Sequence, residues 1–326
     1  MWQGLGLAVY LICSTAALAA DVTDATGRTV TVPEPDQISR VLPAGPPAAV
    51  LLEAIAPDLM LGWPGPVSGP ARAVLPPIAA ALPQVPRLTG REEAADKLAE
   101  LHPDLILDYG DVTPRYIDLD KTIERKTGIP TLLFDGSMDK IPAVIRTLGS
   151  ILGREDRAEA VAQVAEALLS LPVSDAHPTV LYARGPTGGL AAAPGTEVTA
   201  VFTRLGWTVR APKGEGTFRP VTVQAIAALD PDWLVFADPA MADVLAHDAG
   251  WQGLRAVRDG HAVIAPHLPF GWVEEPPSIN RLLGFAWLSG RDPILLAAVS
   301  NAILYGRTLT PVERRAVLQG VAAIHP

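Results

Sequence analysis

Leu98 to Asp108 read L-A-E-L-H-P-D-L-I-L-D, and Ala225 to Asp238 read A-I-A-A-L-D-P-D-W-L-V-F-A-D. Each copy has the end of an amphipathic helix, a Pro-Asp that stops it, and an apolar run too short for another helix. Proline disfavours helical geometry in the residue before it, so the helix ends there. An apolar run of about five residues bounded by polar ones suits a strand buried on both faces. A helix leading directly into a buried strand is half of a βαβ unit. Two copies, roughly 128 residues apart, predict two similar α/β lobes with a ligand held between them.

Leu5 to Ala20, apolar and then rich in small residues, reads as the h-region of a secretory signal peptide. Its A-x-A site is Ala17-Leu18-Ala19, and it is too short to cross a membrane. Residues 1–20 are therefore expected to be removed, near Ala19/Ala20, and the mature chain to be exported. No Lys or Arg precedes the run, and a buried N-terminal helix is the alternative reading. Cys13 is the only cysteine, and the preceding Leu11-Ile12 disfavours lipidation there. Its removal would exclude thiol catalysis, Cys-ligated zinc and Fe–S clusters. About 300 remaining residues suffice for two cores. The net charge of −9 includes no basic block, which argues against a nucleic-acid partner. Thirty-two prolines with only 19% charged residues indicate a rigid, loop-punctuated globular chain.

Val22 to Val32 alternates β-formers about a Thr-Gly turn and predicts a hairpin. Strands are expected at 39–42, 59–63, 105–108 and 131–134 in a lobe spanning 21–138, with helices over 48–55 and 92–101. The second lobe, 173–326, should hold strands at 179–183, 207–210, 233–237 and 261–265. Its helices are expected over 196–205, 243–257, 278–288 and 311–320. Between the lobes, apolar residues from Ile141 to Leu168 recur at helical spacing, so 139–172 reads as a long connecting helix. Gly149 and Gly153 lie inside it and leave one kinked helix or two abutting helices open.

In open parallel sheets, ligands bind beyond the carboxyl ends of the strands. Residues just after each expected strand are therefore the candidates: Trp63, Arg91 and Tyr109 in lobe one, and Tyr182, Arg184, Arg219, His267 and Trp272 in lobe two. Aromatic faces and guanidinium groups suit a bulky, planar or anionic ligand. Each has a plainer reading as well. Trp63 can plug a strand end, Tyr109 can be core, the arginines can pair with carboxylates, and His267 suits a loop better than a metal. The Gly-rich segment 185–195 lacks the G-x-x-x-x-G-K-[ST] pattern and is no nucleotide loop.

D-A-T-G-R-T-V-T-V-P with I-S-R-V after it, both L-x-P-D strand entries, T-G-I-P-T-L-L, R-D-G-H-A-V-I-A and P-F-G-W-V-E-E-P-P-S-I-N-R-L-L-G-F-A-W-L occur in that order. In this the chain resembles the periplasmic ligand-binding proteins of ATP-driven importers for ferric siderophores, haem and cobalamin. The resemblance covers nearly the whole mature chain. It implies two Rossmann-like α/β lobes joined by a single long helix, a shallow cleft and little hinge motion. It also implies docking to an inner-membrane ABC permease, with its ATPase, through an acidic side chain on each lobe. Pro194-Gly195-Thr196-Glu197 fits the lobe-two pattern and nominates Glu197. In lobe one the corresponding position holds Ala49, with Glu53 one helical turn later.

The resulting expectation is a monomeric capture protein without cofactor, catalytic residue or protein-bound metal, whose ligand is a metal chelate, a ferric siderophore first. Arg91, Arg184 and Arg219 would offset its charge, and Trp63, Tyr109, Tyr182 and Trp272 would pack on its body. Haem, with a Tyr109 or Tyr182 ligand, cobalamin, a nickel chelate, or molybdate or tungstate are the alternatives among binding proteins. An exported enzyme and a sensor domain are the alternatives beyond them. The enzyme reading lacks a G-x-S-x-G elbow and an H-E-x-x-H pair.

Overall fold

The computed structural model describes residues 19–88 and 98–318. Strands β1 (Ala19–Thr23) and β2 (Thr29–Pro33) form the expected antiparallel hairpin. Strands β3 (Val41–Pro43), β4 (Leu105–Gly110) and β5 (Thr131–Asp135) form a parallel sheet in that order. The second sheet contains β6 (Thr179–Arg184), β7 (Leu190–Ala192), β8 (Thr208–Val209), β9 (Phe218–Pro220), β10 (Trp233–Phe236) and β11 (Ala262–Ile264). Its order is β11-β10-β6-β7-β9, with β8 also on β6; the β6–β7 and β7–β9 pairs are antiparallel and the other pairs parallel.

The repeated Pro-Asp does the same work in both lobes. His102 and Asp230, the residues before the two prolines, have φ of 42° and 41°, and are the non-glycine residues with positive φ among those described. The proline keeps each out of the right-handed helical region and turns the chain into its strand. The aspartate that follows ties that strand to its neighbour. Asp104 accepts from the backbone N–H groups of Ser39 and Arg40, at 2.8 and 2.9 Å, just ahead of β3. Asp232 accepts from the Thr179 N–H and hydroxyl, at 2.8 and 2.7 Å, at the start of β6. Those Thr179 bonds hold the Asp232 carboxyl down at about 2. The motif thus fixes the amino ends of the sheets, opposite the ends where a ligand would bind.

Side chains alternate as strands buried on both faces require. Leu105, Leu107, Tyr109, Val180, Tyr182 and Val235 face one core that runs without a break through both lobes. Ile106 faces a smaller core of lobe one, and Leu181, Leu234 and Phe236 face another in lobe two. Helices α1 (Pro46–Ile55), α2 (Ile141–Ile151), α3 (Glu155–Leu169) and α4 (Arg281–Leu288) fill the shared core between the sheets.

The connector over 139–172 is two helices rather than one. In a continuous helix Arg146 and Glu166 would lie roughly 30 Å apart; here they pair at 2.6 Å, with Glu159 also on Arg146. The chain reverses at Gly153, whose φ of 61° is the left-handed conformation that glycine adopts without cost. A Cβ at Gly149 would sit 2.2 Å from that of Ala158, so a bare backbone lets α3 fold back on α2. Gly→Ala in an exposed helix gains about 1 kcal/mol. Gly149→Ala should instead lose about 1–3 kcal/mol through overpacking. Denaturant unfolding would check the sign, and a net gain would mean that the two helices do not approach this closely.

Three other expectations change. The segment 59–63 forms isolated bridges, Met60 to Val41 and Trp63 to Gln84, because the chain exchanges partners at Gly62, packed against the Pro83 carbonyl. The helix over 243–257 is three short ones, Met241–His247, Ala249–Gln252 and Arg255–Arg258, interrupted where Asp248 caps the second. The stretch 196–205 starts as a 3-10 turn before the helix Ala200–Arg204. Of the helix over 92–101, residues 92–97 lie outside the described residues. The helices Pro114–Thr127 and Pro293–Ile303 were not anticipated.

Candidate ligand-binding cleft

A cavity of about 520 Å³ lies between the lobes at the carboxyl ends of β4 and β6. Lobe one contributes Tyr109 and Gly110 from the end of β4, Asp111 after it, and Pro46 and Pro47 at the start of α1. Lobe two contributes Arg184 from the end of β6, Phe218 from β9, and the loop Glu274-Glu275-Pro276-Pro277. A second chamber of about 360 Å³ adjoins it, sharing Pro46, Glu275 and Pro276. That annex is apolar, walled by Trp63, Val50, Phe270 and several prolines. Trp63 and Phe270 pack with ring centroids 5.5 Å apart, and the Trp63 indole N–H donates to the Ala79 carbonyl at 2.9 Å.

Two buried charge networks hold the floor. Glu274, 1% exposed, accepts from the Tyr182 hydroxyl at 2.8 Å and from the Arg184 guanidinium. Arg184 also reaches Glu275 at 2.9 Å and lies over the Phe218 ring at 4.3 Å. Burial pushes the Glu274 carboxyl up to about 7, against the pull of Arg184. The second network centres on Arg281, which is fully buried. Its guanidinium donates to Glu197 at 2.7 Å, to the Ser278 carbonyl at 3.2 Å and to the Gly136 carbonyl. It thereby joins β5's end in lobe one to the 197–199 turn in lobe two. Gly136 can sit there because a Cβ would meet the Gly110 Cα at 2.7 Å.

Asp108 forms a third charged point on the wall. It is 3% exposed; one oxygen accepts from the Tyr109 N–H at 2.8 Å, and Oδ2 has no hydrogen-bond partner. Burial raises its carboxyl to about 6, opposed by that N–H and by Arg87. Burial likewise raises Asp111, with Glu197 adding to the effect.

The expected site residues separate into distinct places. Tyr109 and Arg184 line the main cavity, and Trp63 lines the annex. Tyr182 and Trp272, each 1% exposed, lie beneath the surface and line neither chamber. Arg219 alternates with Phe218 on β9, so it points away and donates to the Pro212 carbonyl at 2.8 Å. His267 lines neither chamber, and burial lowers the basicity of its imidazole. Arg91 lies outside the described residues.

Glu53 is corrected as a docking residue. It is 1% exposed inside α1, between Arg157 and Tyr305, and burial raises its carboxyl well above the ordinary range, so it presents nothing to a permease. Glu197 is partly exposed, at 32% of its side chain, and lines the cavity while paired with Arg281.

Sequence reasoning missed Asp108, Glu274, Glu275 and Arg281. One signal was present for Arg281: a lone charge in I-N-R-L-L-G-F-A-W-L, otherwise apolar on every side.

The sequence between residues 48 and 267 matches the family model described as periplasmic binding protein. No curated protein matches the chain significantly in sequence. Among solved structures, the chain is similar to an ABC transporter solute binding protein from Sulfurospirillum deleyianum DSM 6946, with a TM-score of 0.81 at 20% identity, over 92% of this chain and 99% of that one. It is also similar to the molybdate periplasmic binding protein of Haemophilus influenzae, with a TM-score of 0.64 at 16% identity, over 90% and 99% of the two chains. An ABC-type Fe3+-hydroxamate transport system from Saccharomonospora viridis DSM 43017 gives a TM-score of 0.55 at 20% identity, over 82% and 96%. At these identities the structures share the fold, and the match across 48–267 carries the assignment. The chain belongs to the periplasmic binding protein family, the solute-binding proteins of ABC transport rather than enzymes.

Proposed function

We propose that this protein captures a metal chelate, a ferric siderophore first among them, in the periplasm and delivers it to an inner-membrane ABC permease. The observation that carries this reading is the size and make-up of the cleft. Chambers of about 520 and 360 Å³ meet at Pro46, Glu275 and Pro276, one lined by charged groups and one by apolar rings. That suits a ligand with a polar coordination centre and an organic body. Among the described residues, no group of three or more His, Cys, Asp or Glu side chains is arranged to hold a bare ion. The ion would therefore bring its own ligands. Haem bound through a tyrosine is disfavoured: the Tyr182 hydroxyl is committed to Glu274, and the Tyr109 hydroxyl is buried with the Gly136 carbonyl 3.5 Å away.

Export fits the apolar leader. Ala20 pairs with Val32 in the β1–β2 register, so cleavage after Ala19 would leave the hairpin from Ala20 onward intact. Glu197 remains the candidate for contact with the permease.

Titration of the mature protein with ferric chelates should quench its tryptophan fluorescence, because Trp63 walls the annex. Trp63→Phe should remove the larger part of that signal while keeping binding. Native mass spectrometry of protein from its own host should find an organic chelate retained. Protein that carries a bare ion and ignores every chelate would overturn the reading.

A further inference from the structure

We infer that the captured chelate carries zero or positive net charge and is not a polyanion. This rests on the chelate-capture reading above and names the class of chelate. Among the described residues, the main cavity is lined by three arginines, Arg87, Arg184 and Arg281, against five carboxylates, Asp108, Asp111, Glu197, Glu274 and Glu275. Two of the arginines are already engaged within the protein. Arg184 is held between Glu274 and Glu275, and Arg281 is held by the Glu197 carboxylate and the backbone carbonyls of Gly136, Glu197 and Ser278. An anion would have to share a guanidinium that already neutralises a carboxylate, in pairs where Glu274 or Arg281 itself is buried, and weakening such a pair is costly.

Three of the five carboxylates are taken up in those same pairs, which leaves Asp108 and Asp111 outside them. Asp108, 3% exposed on the cavity wall, keeps Oδ2 without a hydrogen-bond partner among the described residues. Even with the Glu274 carboxyl at about 7 partly protonated, carboxylates remain in excess at neutral pH. A cleft with low-dielectric walls concentrates such an imbalance and attracts cations while repelling anions. A bare oxyanion, which needs donors converging on a small volume, meets neither the size nor the sign of this cavity.

The test uses the mature protein and three iron(III) complexes of similar size at pH 7.5, read by calorimetry and fluorescence. They are a linear tris-hydroxamate with a free ammonium group (net +1 complex), a neutral cyclic tris-hydroxamate, and a tris-catecholate (net −3 complex); molybdate serves as a small-anion probe. These charges follow from the ligands' protonation, as about +1, 0 and −3. The +1 complex should bind at least about tenfold more tightly than the −3 complex, and its affinity should fall with added salt. Asp111→Asn should weaken the +1 complex by roughly threefold, the scale of one partly exposed charge, and strengthen the −3 complex. Equal or tighter binding of the −3 complex, or of molybdate, would overturn the charge assignment while leaving capture standing. Failure of all three complexes to bind would sink the chelate reading itself, and this inference with it.

Discussion

Glu197→Ala should lower the melting temperature by about 5 °C or more, an effect far larger than that of an ordinary partly exposed glutamate. The reason lies in the partner. Glu197 is one-third exposed, but the Arg281 side chain it neutralises is 1% exposed. Removing the glutamate leaves a buried guanidinium bonded to backbone carbonyls, with Asp111 as a more remote countercharge, and stranding a buried charge costs roughly 3–5 kcal/mol. Removing both groups is gentler, so Glu197→Ala with Arg281→Met should recover part of the loss. Glu159→Ala, which leaves the partly exposed Arg146 still paired with Glu166, is the control and should leave the melt close to that of the parent. Calorimetric melts of the three variants and the parent would decide it, and a Glu197→Ala melt within a degree of the parent would remove Arg281 as a clamp between the lobes. The same experiment bears on docking. Loss of uptake in a Glu197 variant means contact with the permease only if the melt is first shown to be intact, as Glu197→Gln, which can still accept from Arg281, is designed to allow.

The second large effect is on the pH dependence of stability. Burial raises Asp108 to about 6, Glu274 to about 7 and Asp120 to about 8, and raises Glu53 well above the ordinary carboxylate range. Unfolded carboxyls lose their protons near pH 4, so between there and pH 8 the folded state binds more protons than the unfolded one. Stability is then greatest at the acidic end and falls as pH rises through the folded values. For Glu274 alone the fall is on the order of 3 kcal/mol. Asp232, held at about 2, acts in the opposite sense but only below pH 4. Urea unfolding at pH 5, 6.5 and 8 should show a declining free energy, and Glu274→Gln should flatten the decline. A profile that rises with pH, or a Glu274→Gln profile parallel to the parent, would contradict the buried placement of these acids.

The repeated Pro-Asp made the two sheets legible because its effects are local: a proline stops a helix, and five apolar residues have room only for a strand. The connector was less legible. Apolar residues at helical spacing describe a straight helix and a folded-back pair equally well, and only the contact of Gly149 with Ala158 separates them. The cavity lies at strand ends, where the sequence reading looked for a ligand, but Tyr182, Arg219, His267 and Trp272 do not line it. Arg219 and Phe218 are neighbours on β9, and strand alternation sends one to the cavity and the other away, a choice that depends on register rather than composition. Glu274 and Arg281 come from a loop and a helix late in the chain, and their roles arise from groups roughly 80–145 positions earlier. Glu53 looked like a surface acid because glutamate usually is one. Its apolar neighbours on all sides of α1 were the contrary signal.

The core shared by the two lobes has a kinetic consequence. Trp272, Trp287 and Phe285 are packed into it at 1% exposure or less, and a close-packed interior resists being opened and resealed. The walls of the cleft are therefore in position before a ligand arrives, and the entropy of ordering them is lost during folding rather than on encounter. Association then becomes a simple bimolecular step, with discrimination between ligands expressed in how long each stays. Dissociation gains little from spontaneous parting of the lobes, so prompt unloading calls for a partner that strains this packing.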